Sequence, residues 1–206
     1  MQKAQIIKFL TEKLQFSNES IKKLIDFENL VLNFNKKYNL ISKSTEKTLF
    51  YRHILDSAQL VKYINFEKEG ILADLGSGGG FPGIILAIYN KNANFHVKLF
   101  EKSPVKRMFL NEVRSKLDVK VQILSDYRVN DISSNYIVSR AFKKLPVLLD
   151  ISREKNKKPH KLIILKGKSA QEEINKASQT NLFKYRIENS ITDKESRILI
   201  FNIEKK

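Results

Sequence analysis

The segment Asp74-Leu-Gly76-Ser-Gly78-Gly-Gly80-Phe-Pro-Gly83 constrains this chain more than any other. Four of the protein's seven glycines fall within the five positions 76–80. Glycine admits positive φ and lets the main chain approach a ligand closely. The loop follows a short apolar run, Ile71-Leu-Ala-Asp-Leu75, and leads into a helix predicted over about 81–89. Pro82 stands near that helix start, where its missing N–H leaves nothing unpaired. A helix N-terminus there aims its amides at the same place as the glycines. Strand, glycine turn and helix in this order belong to an open α/β sheet, whose ligands sit beyond the carboxyl ends of the strands.

The rest of the chain extends that pattern. Further strands are expected at Phe95–Glu101, Val119–Leu124, Tyr136–Ser139 and Lys161–Lys166. Ser103 as N-cap and Pro104 at the first helical position predict a helix running to about Leu117. A second is expected over about 168–178. Leu182–Glu188 and Arg197–Glu204 then read as strands with no room for a helix between them, hence an antiparallel pair. Alternating strands and helices imply a doubly wound, mostly parallel sheet. The first 65 residues read as helices: Ile7, Leu10 and Leu14 form a short stripe, and Ser17 caps a helix carrying Ile21, Leu24, Ile25 and Leu32. Thr45 is expected to cap a third, which includes His53. The expected division is a helical segment, 1–65, packed on a sheet domain, 66–206, as one structural unit.

Composition removes several chemistries. There is no cysteine, so disulfides, thiolate metal sites and cysteine nucleophiles are excluded. The three histidines, His53, His96 and His160, show no metal-ligand spacing, and no metal is expected. His96 and His160 read as plain surface or strand-edge residues. No apolar run approaches the roughly 18 residues that span a bilayer. The opening Met1-Gln-Lys-Ala-Gln-Ile-Ile-Lys8 has no signal-peptide core, so a cytoplasmic location without membrane attachment is expected. Lys and Arg number 38 against 22 Asp and Glu, a net charge of +16. Such an excess suits a polyanionic partner such as nucleic acid. Since 30 of the 38 are Lys, a compositional bias of the genome is the competing explanation.

Two ligand classes use a loop of this kind. Gly78, Gly80 and Gly83 fit the spacing of a dinucleotide fingerprint, although counting from Gly76 puts Phe81 where the third glycine belongs. Asp74 followed by Gly76, Gly78 and Gly80 resembles instead the first motif of methyltransferases that use S-adenosylmethionine. An acid at the loop entrance suits a cationic ligand and would oppose a pyrophosphate. Glu101 closes the second strand, where a carboxylate can take both ribose hydroxyls; both ligand classes share that feature. Arg140 ends an otherwise apolar strand and can hold a carboxylate or phosphate with its planar fork. Lys166 ends the next strand, while Lys106 and Arg107 open a basic edge near the glycines. Arg52 and Asp56, four apart, read on their own as a surface ion pair.

Taken in order, Asn39-Leu40, Arg52-His-Ile-Leu-Asp-Ser57, Asp74–Gly83, Lys106-Arg107, Arg128-Val129, Ser139-Arg-Ala-Phe142 and Lys166-Gly167 resemble the RsmG (GidB) family over about residues 20–200. The resemblance implies a Rossmann-like methyltransferase fold with a seven-stranded, mostly parallel sheet and an antiparallel terminal strand. It implies an enzyme that moves a methyl group from S-adenosylmethionine to N7 of a guanine in the 530 loop of bacterial 16S rRNA. The partner would be 16S rRNA or the 30S particle. To the cofactor residues that the loop and strand end suggest, Asp74, Gly78 and Glu101, it adds Gly76, Phe81 and Arg140, with Val129 and Asn130 at the adenine end. At Asn130 the sequence departs from the Glu usual in the family. Arg140, Lys166, Arg107 and His53 are the candidate substrate residues. No acid–base residue is assigned, because guanine N7 has a free lone pair and no proton to remove. A methyltransferase acting on another RNA, a protein or a small molecule is the second reading. A non-enzymatic RNA-binding module is the third.

Overall fold

The computed structural model describes residues 1–178 and 184–204. Two helices open the chain, α1 (Lys3–Glu12) and α2 (Asn18–Asn35). Ser17 caps α2 as expected, its hydroxyl accepting from the Ser20 amide at 3.2 Å. The stripe that α2 buries is Ile21, Leu24, Phe27 and Val31, with Ile25 and Leu32 only partly covered. The third predicted helix is a run of dissimilar turns. A 3-10 turn at Lys43–Thr48 leads to a π-helical turn at Phe50–Leu55, one α turn (α3, Asp56–Ala58) and a 3-10 turn at Gln59–Tyr63. Thr45 lies inside the first of these, so it is not the cap that the sequence suggested; its side chain bonds His53 instead.

Seven strands follow: β1 (Gly70–Leu75), β2 (Phe95–Phe100), β3 (Gln122–Leu124), β4 (Tyr136–Arg140), β5 (His160–Lys166), β6 (Tyr185–Asn189) and β7 (Arg197–Ile203). They form one sheet in the order β3-β2-β1-β4-β5-β7-β6. The first five run parallel, and β7 is antiparallel to both β5 and β6. Of the strand expected over Leu182–Glu188, residues 182 and 183 lie outside the described residues. The connecting helices are α4 (Gly83–Tyr89), α5 (Pro104–Lys116), α6 (Leu145–Lys155) and α7 (Ala170–Ser178). Ser103 and Pro104 start α5 as predicted, the Ser103 hydroxyl accepting from the Lys106 amide.

Successive strand residues point to opposite faces, and this sorts the core into two layers. Leu72, Val138, Ile163 and Leu165 belong to one cluster with the apolar residues of α1, α2, α4 and α5. Ala73, Leu75, Ile137, Leu162 and Ile164 face α6 and α7. The N-terminal helices and the sheet therefore contribute to one apolar cluster. His160 is buried, contrary to the surface reading: its Nδ1 bonds the Lys158 carbonyl and its Nε2 bonds Ser152 Oγ on α6. His96 is exposed.

Candidate cofactor and acceptor site

Strand register brings the carboxyl ends of β1, β2 and β4 level. Leu75 pairs with Phe100 and Asp74 with Val138, so Gly76, Glu101 and Arg140 emerge side by side. The glycine loop is tied down there by two carboxylates. Asp74 is fully buried and faces α4, where its Oδ2 accepts from the Gly83 amide at 2.9 Å. Glu101 accepts from the Gly78 amide at 2.8 Å with Oε2 and from the Ser103 amide at 2.7 Å with Oε1. Gly76, Gly78 and Gly80 take φ of +76°, +55° and +93°. At Gly76 a Cβ would also stand 2.3 Å from the Phe142 ring; glycine is needed there for space as well as conformation.

Above the loop lies a cavity of about 560 Å³, within the usual range for a small-molecule site. Gly76, Gly78, Phe81, Glu101, Arg140 and His53 all border it, as do Asp126 and Phe142. Phe81 forms part of its floor, packed on Phe27 and His53 with ring centroids 5.3 and 5.1 Å apart. Asp74 lies beneath the loop and does not border the cavity. Burial pushes its carboxyl up to about 7, and its Oδ1 has no partner.

Arg140 reaches the helical face because it sits two residues after Val138. Its Nη2 donates to His53 Nδ1 at 2.6 Å, and its guanidinium lies 5.7 Å from the Phe81 ring centroid. Since Arg140 is always a donor, His53 carries its proton on Nε2 and donates to Thr45 Oγ1 at 2.8 Å. Burial, with the charges of Arg140 and Arg52 added, pushes the imidazole down to about 3. The ring is therefore neutral at physiological pH, with both nitrogens engaged. Arg140 Nη1 is buried without a partner. The expected Arg52–Asp56 pair does not form. Arg52 binds Asp193 at 2.7 Å, while Asp56 turns inward to Arg140.

Lys106 borders the cavity, whereas Lys166, Arg107, Val129 and Asn130 sit apart from it. Lys166 is one residue out of phase with Arg140 on the neighbouring strand, so it points to the opposite layer and binds Glu173 of α7 at 2.8 Å. Arg107 donates to the carbonyls of Glu101 and Lys102 at the end of β2. Val129 is 79% exposed. Asn130 folds back, its Nδ2 donating to the Asp126 carbonyl at 2.8 Å. From the same loop it is Ser125–Arg128 that border the cavity. Asp126, held down to about 2 by its hydrogen bonds and ion pair with Arg128, escaped the sequence reading. Its position just past β3 was the available signal.

The site suits S-adenosylmethionine on its own terms. Glu101 and Asp126 border the cavity with carboxylates, the kind of acceptor a ribose diol uses, and Arg140 borders it with a buried, unpaired donor of the kind that suits an aminocarboxylate. The sheet order and the glycine crevice define a Rossmann-like methyltransferase fold. A solved S-adenosylmethionine-dependent methyltransferase from Aquifex aeolicus superposes with a TM-score of 0.61 at 14% identity, covering 78% of this chain and 94% of that one.

The chain belongs to the GidB family, rRNA small subunit methyltransferase G, whose model matches residues 20–200. A protein of Rickettsia bellii (strain OSU 85-389) named ribosomal RNA small subunit methyltransferase G is 40% identical over 183 residues, 88% of this chain and 93% of the relative. Another so named, from Orientia tsutsugamushi (strain Ikeda), is 38% identical over 201 residues, 97% of this chain and 98% of the relative. Among the described residues, no helix is long and apolar enough to cross a membrane, and no cluster of His, Asp and Glu could hold a metal ion.

Proposed function

We propose that this chain transfers the methyl group of S-adenosylmethionine to N7 of a guanine in the 530 loop of 16S rRNA, in the cytoplasm. The observation that carries this reading is the cavity bounded by the glycine loop, Glu101, Asp126 and Arg140, in a chain of this family. When bound, the cofactor supplies an electrophilic methyl group. Glu101 and Asp126 would hold its ribose, and Arg140 its carboxylate. The glycine loop would lie along it.

The protein's own residues contribute position and not proton transfer. His53 is neutral and committed at both nitrogens. Glu101 already accepts two main-chain N–H groups. Neither is placed as a free general base, and attack by guanine N7 needs none, since its lone pair lies in the ring plane and carries no proton. Holding donor and acceptor in line can account for several kcal/mol of the barrier, on the order of 7–11 at best. From residues 1–65, Leu40, Ile41, Ser42 and His53 border the cavity, and on this reading that segment acts with 66–206 as one unit. Lys and Arg contacts to phosphate would supply most of the RNA affinity, which should weaken steeply as salt rises.

The test is methyl transfer in vitro to naked 16S rRNA and to 30S particles, together with mapping of methylated nucleotides in cells with and without the protein. Loss of a single N7-methylguanine in the 530 loop on deletion is expected. Transfer to a protein, a small molecule or a different RNA would replace this substrate. Calorimetric binding of NAD without binding of S-adenosylmethionine would overturn the cofactor.

A further inference from the structure

The cofactor cavity shares a wall with a second one. This neighbour, about 310 Å³, lies beyond β4 and β5 against the turn between β6 and β7. His53, Arg140 and Ala141 border both. Larger and smaller hollows at the starting ends of the strands share no residue with the cofactor cavity. A methyl acceptor has to lie against the methyl donor, so the second cavity is where an acceptor can reach it.

Its polar groups are arranged for one kind of edge. Asp56 is fixed through a single oxygen: Oδ1 accepts from Gln59 Nε2 at 2.9 Å, Ser190 Oγ at 3.1 Å and Thr192 Oγ1 at 2.7 Å. Among the described residues, Oδ2 meets the Arg140 Nε at 3.7 Å, beyond hydrogen-bond range. Arg140 in turn keeps both N–H bonds of Nη1 without an acceptor, one for the cofactor's carboxylate and one for a base. Arg140 on the shared wall thus has N–H groups to offer, and Asp56, inside the second cavity, has an oxygen that meets Arg140 only as an ion pair and accepts no hydrogen bond. Guanine presents the complement, O6 next to N1–H. Adenine presents the reverse, an amino group next to a bare N1. Arg52 borders the same cavity and keeps 43% of its side chain exposed despite its pair with Asp193, which leaves it free to meet a phosphate.

We propose that this second cavity receives the target guanine, with Asp56 Oδ2 accepting from N1–H and the Arg140 guanidinium donating to O6. O6 and N7 share one edge of the purine, so anchoring O6 at the common wall turns N7 toward the cofactor cavity. Asp56 is then a specificity residue, and the base must leave its stack to be read this way. The proposal rests on the guanine-N7 reading above.

The experiment offers the full-length protein 16S rRNA, naked and in 30S particles, with guanine, inosine, 2-aminopurine or adenine at the target position. All four keep N7. Inosine keeps O6 and N1–H and should be methylated within about tenfold of guanine. 2-Aminopurine and adenine lack both and should fall by about a hundredfold or more in kcat/KM. An Asp56→Asn variant, whose amide can donate to a bare N1, should narrow the gap between guanine and 2-aminopurine at least tenfold. Its affinity for S-adenosylmethionine, read by calorimetry, should stay within a few-fold of the parent. Methylation of 2-aminopurine within about tenfold of guanine by the parent protein would overturn the base-reading role, whether or not the variant folds. So would an unchanged ratio in a folded Asp56→Asn protein. Failure to methylate guanine itself would instead remove the guanine-N7 reading on which this one stands.

Discussion

Alanine at Gly76 and alanine at Gly78 should have different costs, although the residues are two apart in one loop. Both glycines take left-handed φ, +76° and +55°. A residue with a Cβ pays about 1–2 kcal/mol for that conformation. At Gly78 little else changes, since the nearest atom to an added Cβ is the Gly76 carbonyl oxygen at 3.8 Å. At Gly76 the Cβ would fall 2.3 Å from Cδ2, 2.5 Å from Cγ and 2.9 Å from Cβ of Phe142. The collision includes the root of the side chain, so rotating the ring cannot relieve it. Phe142 must move off Tyr127, against which it packs edge-on at 6.0 Å. Displacing a partly buried aromatic costs roughly a further 1.5–3 kcal/mol.

Gly76→Ala should therefore destabilise by about 2.5–5 kcal/mol and Gly78→Ala by about 1–2. Urea unfolding of both variants measures this. A double-mutant cycle isolates the clash: in a Phe142→Ala background the extra cost of Gly76→Ala should shrink by about 1–3 kcal/mol. Equal costs for the two single variants, or no coupling to Phe142, would show that the loop backbone relaxes and that the steric reasoning is wrong.

Three further outcomes are expected. Arg140→Ala should abolish methyl transfer and weaken S-adenosylmethionine binding while the protein still folds; leaving Asp56 without its cation should lower stability by about 1–3 kcal/mol, and full activity would remove Arg140 from the site. Asp74 has a raised folded pKa, so its contribution is fully present below the unfolded value near 4 and lost as pH rises through about 7; Asp74→Asn should remove that loss, on the order of 4 kcal/mol, and be relatively more stable at pH 8 in urea titrations. His53 has a lowered folded pKa, so its contribution is present above about 6.5 and lost as pH falls toward about 3; the two slopes oppose each other in the parent, and Asp74→Asn should expose an acid-side decline that His53→Asn does not show.

How much of this was legible in the residues depends on which rule they obey. Most strands, the Ser103-Pro104 start and the strand–loop–helix order at the glycines follow local rules and match the structure, although the strand expected over Val119–Leu124 is only Gln122–Leu124 and the helix after the glycines starts at Gly83. The segment 43–63 does not, because almost everything in residues 53–61 is buried. Without an exposed face there is no 3.6-residue stripe to detect, and the chain changes between 3-10, π and α turns. Helix α6 is hard to read in the sequence because only a short apolar run, Leu145–Leu149, separates flanking charges; Pro146 in its first turn is the available signal. Arg140 and Lys166 look equivalent as strand-end cations. Only the register of β4 on β5, pairing Arg140 with Leu165, puts them on opposite faces. The partners of Asp56 on the β6–β7 turn lie more than 130 positions away, beyond any spacing rule.

The acidic residues at the ends of β1 and β2 hold the glycine loop before any ligand arrives. Asp74 fixes the entry of α4 through Gly83, and Glu101 fixes the middle of the loop through Gly78. A carboxylate has about four acceptor sites, so Glu101 can keep these bonds and still meet a diol. Asp74 Oδ1 and Arg140 Nη1 are different, since they are buried and unpaired in the protein alone. An unsatisfied buried polar group costs about 1–3 kcal/mol. A ligand that supplies Arg140 with its missing partner recovers that cost along with its own contacts. Burial of Arg140 Nη1 would thus add to the affinity for an anionic ligand that reaches it.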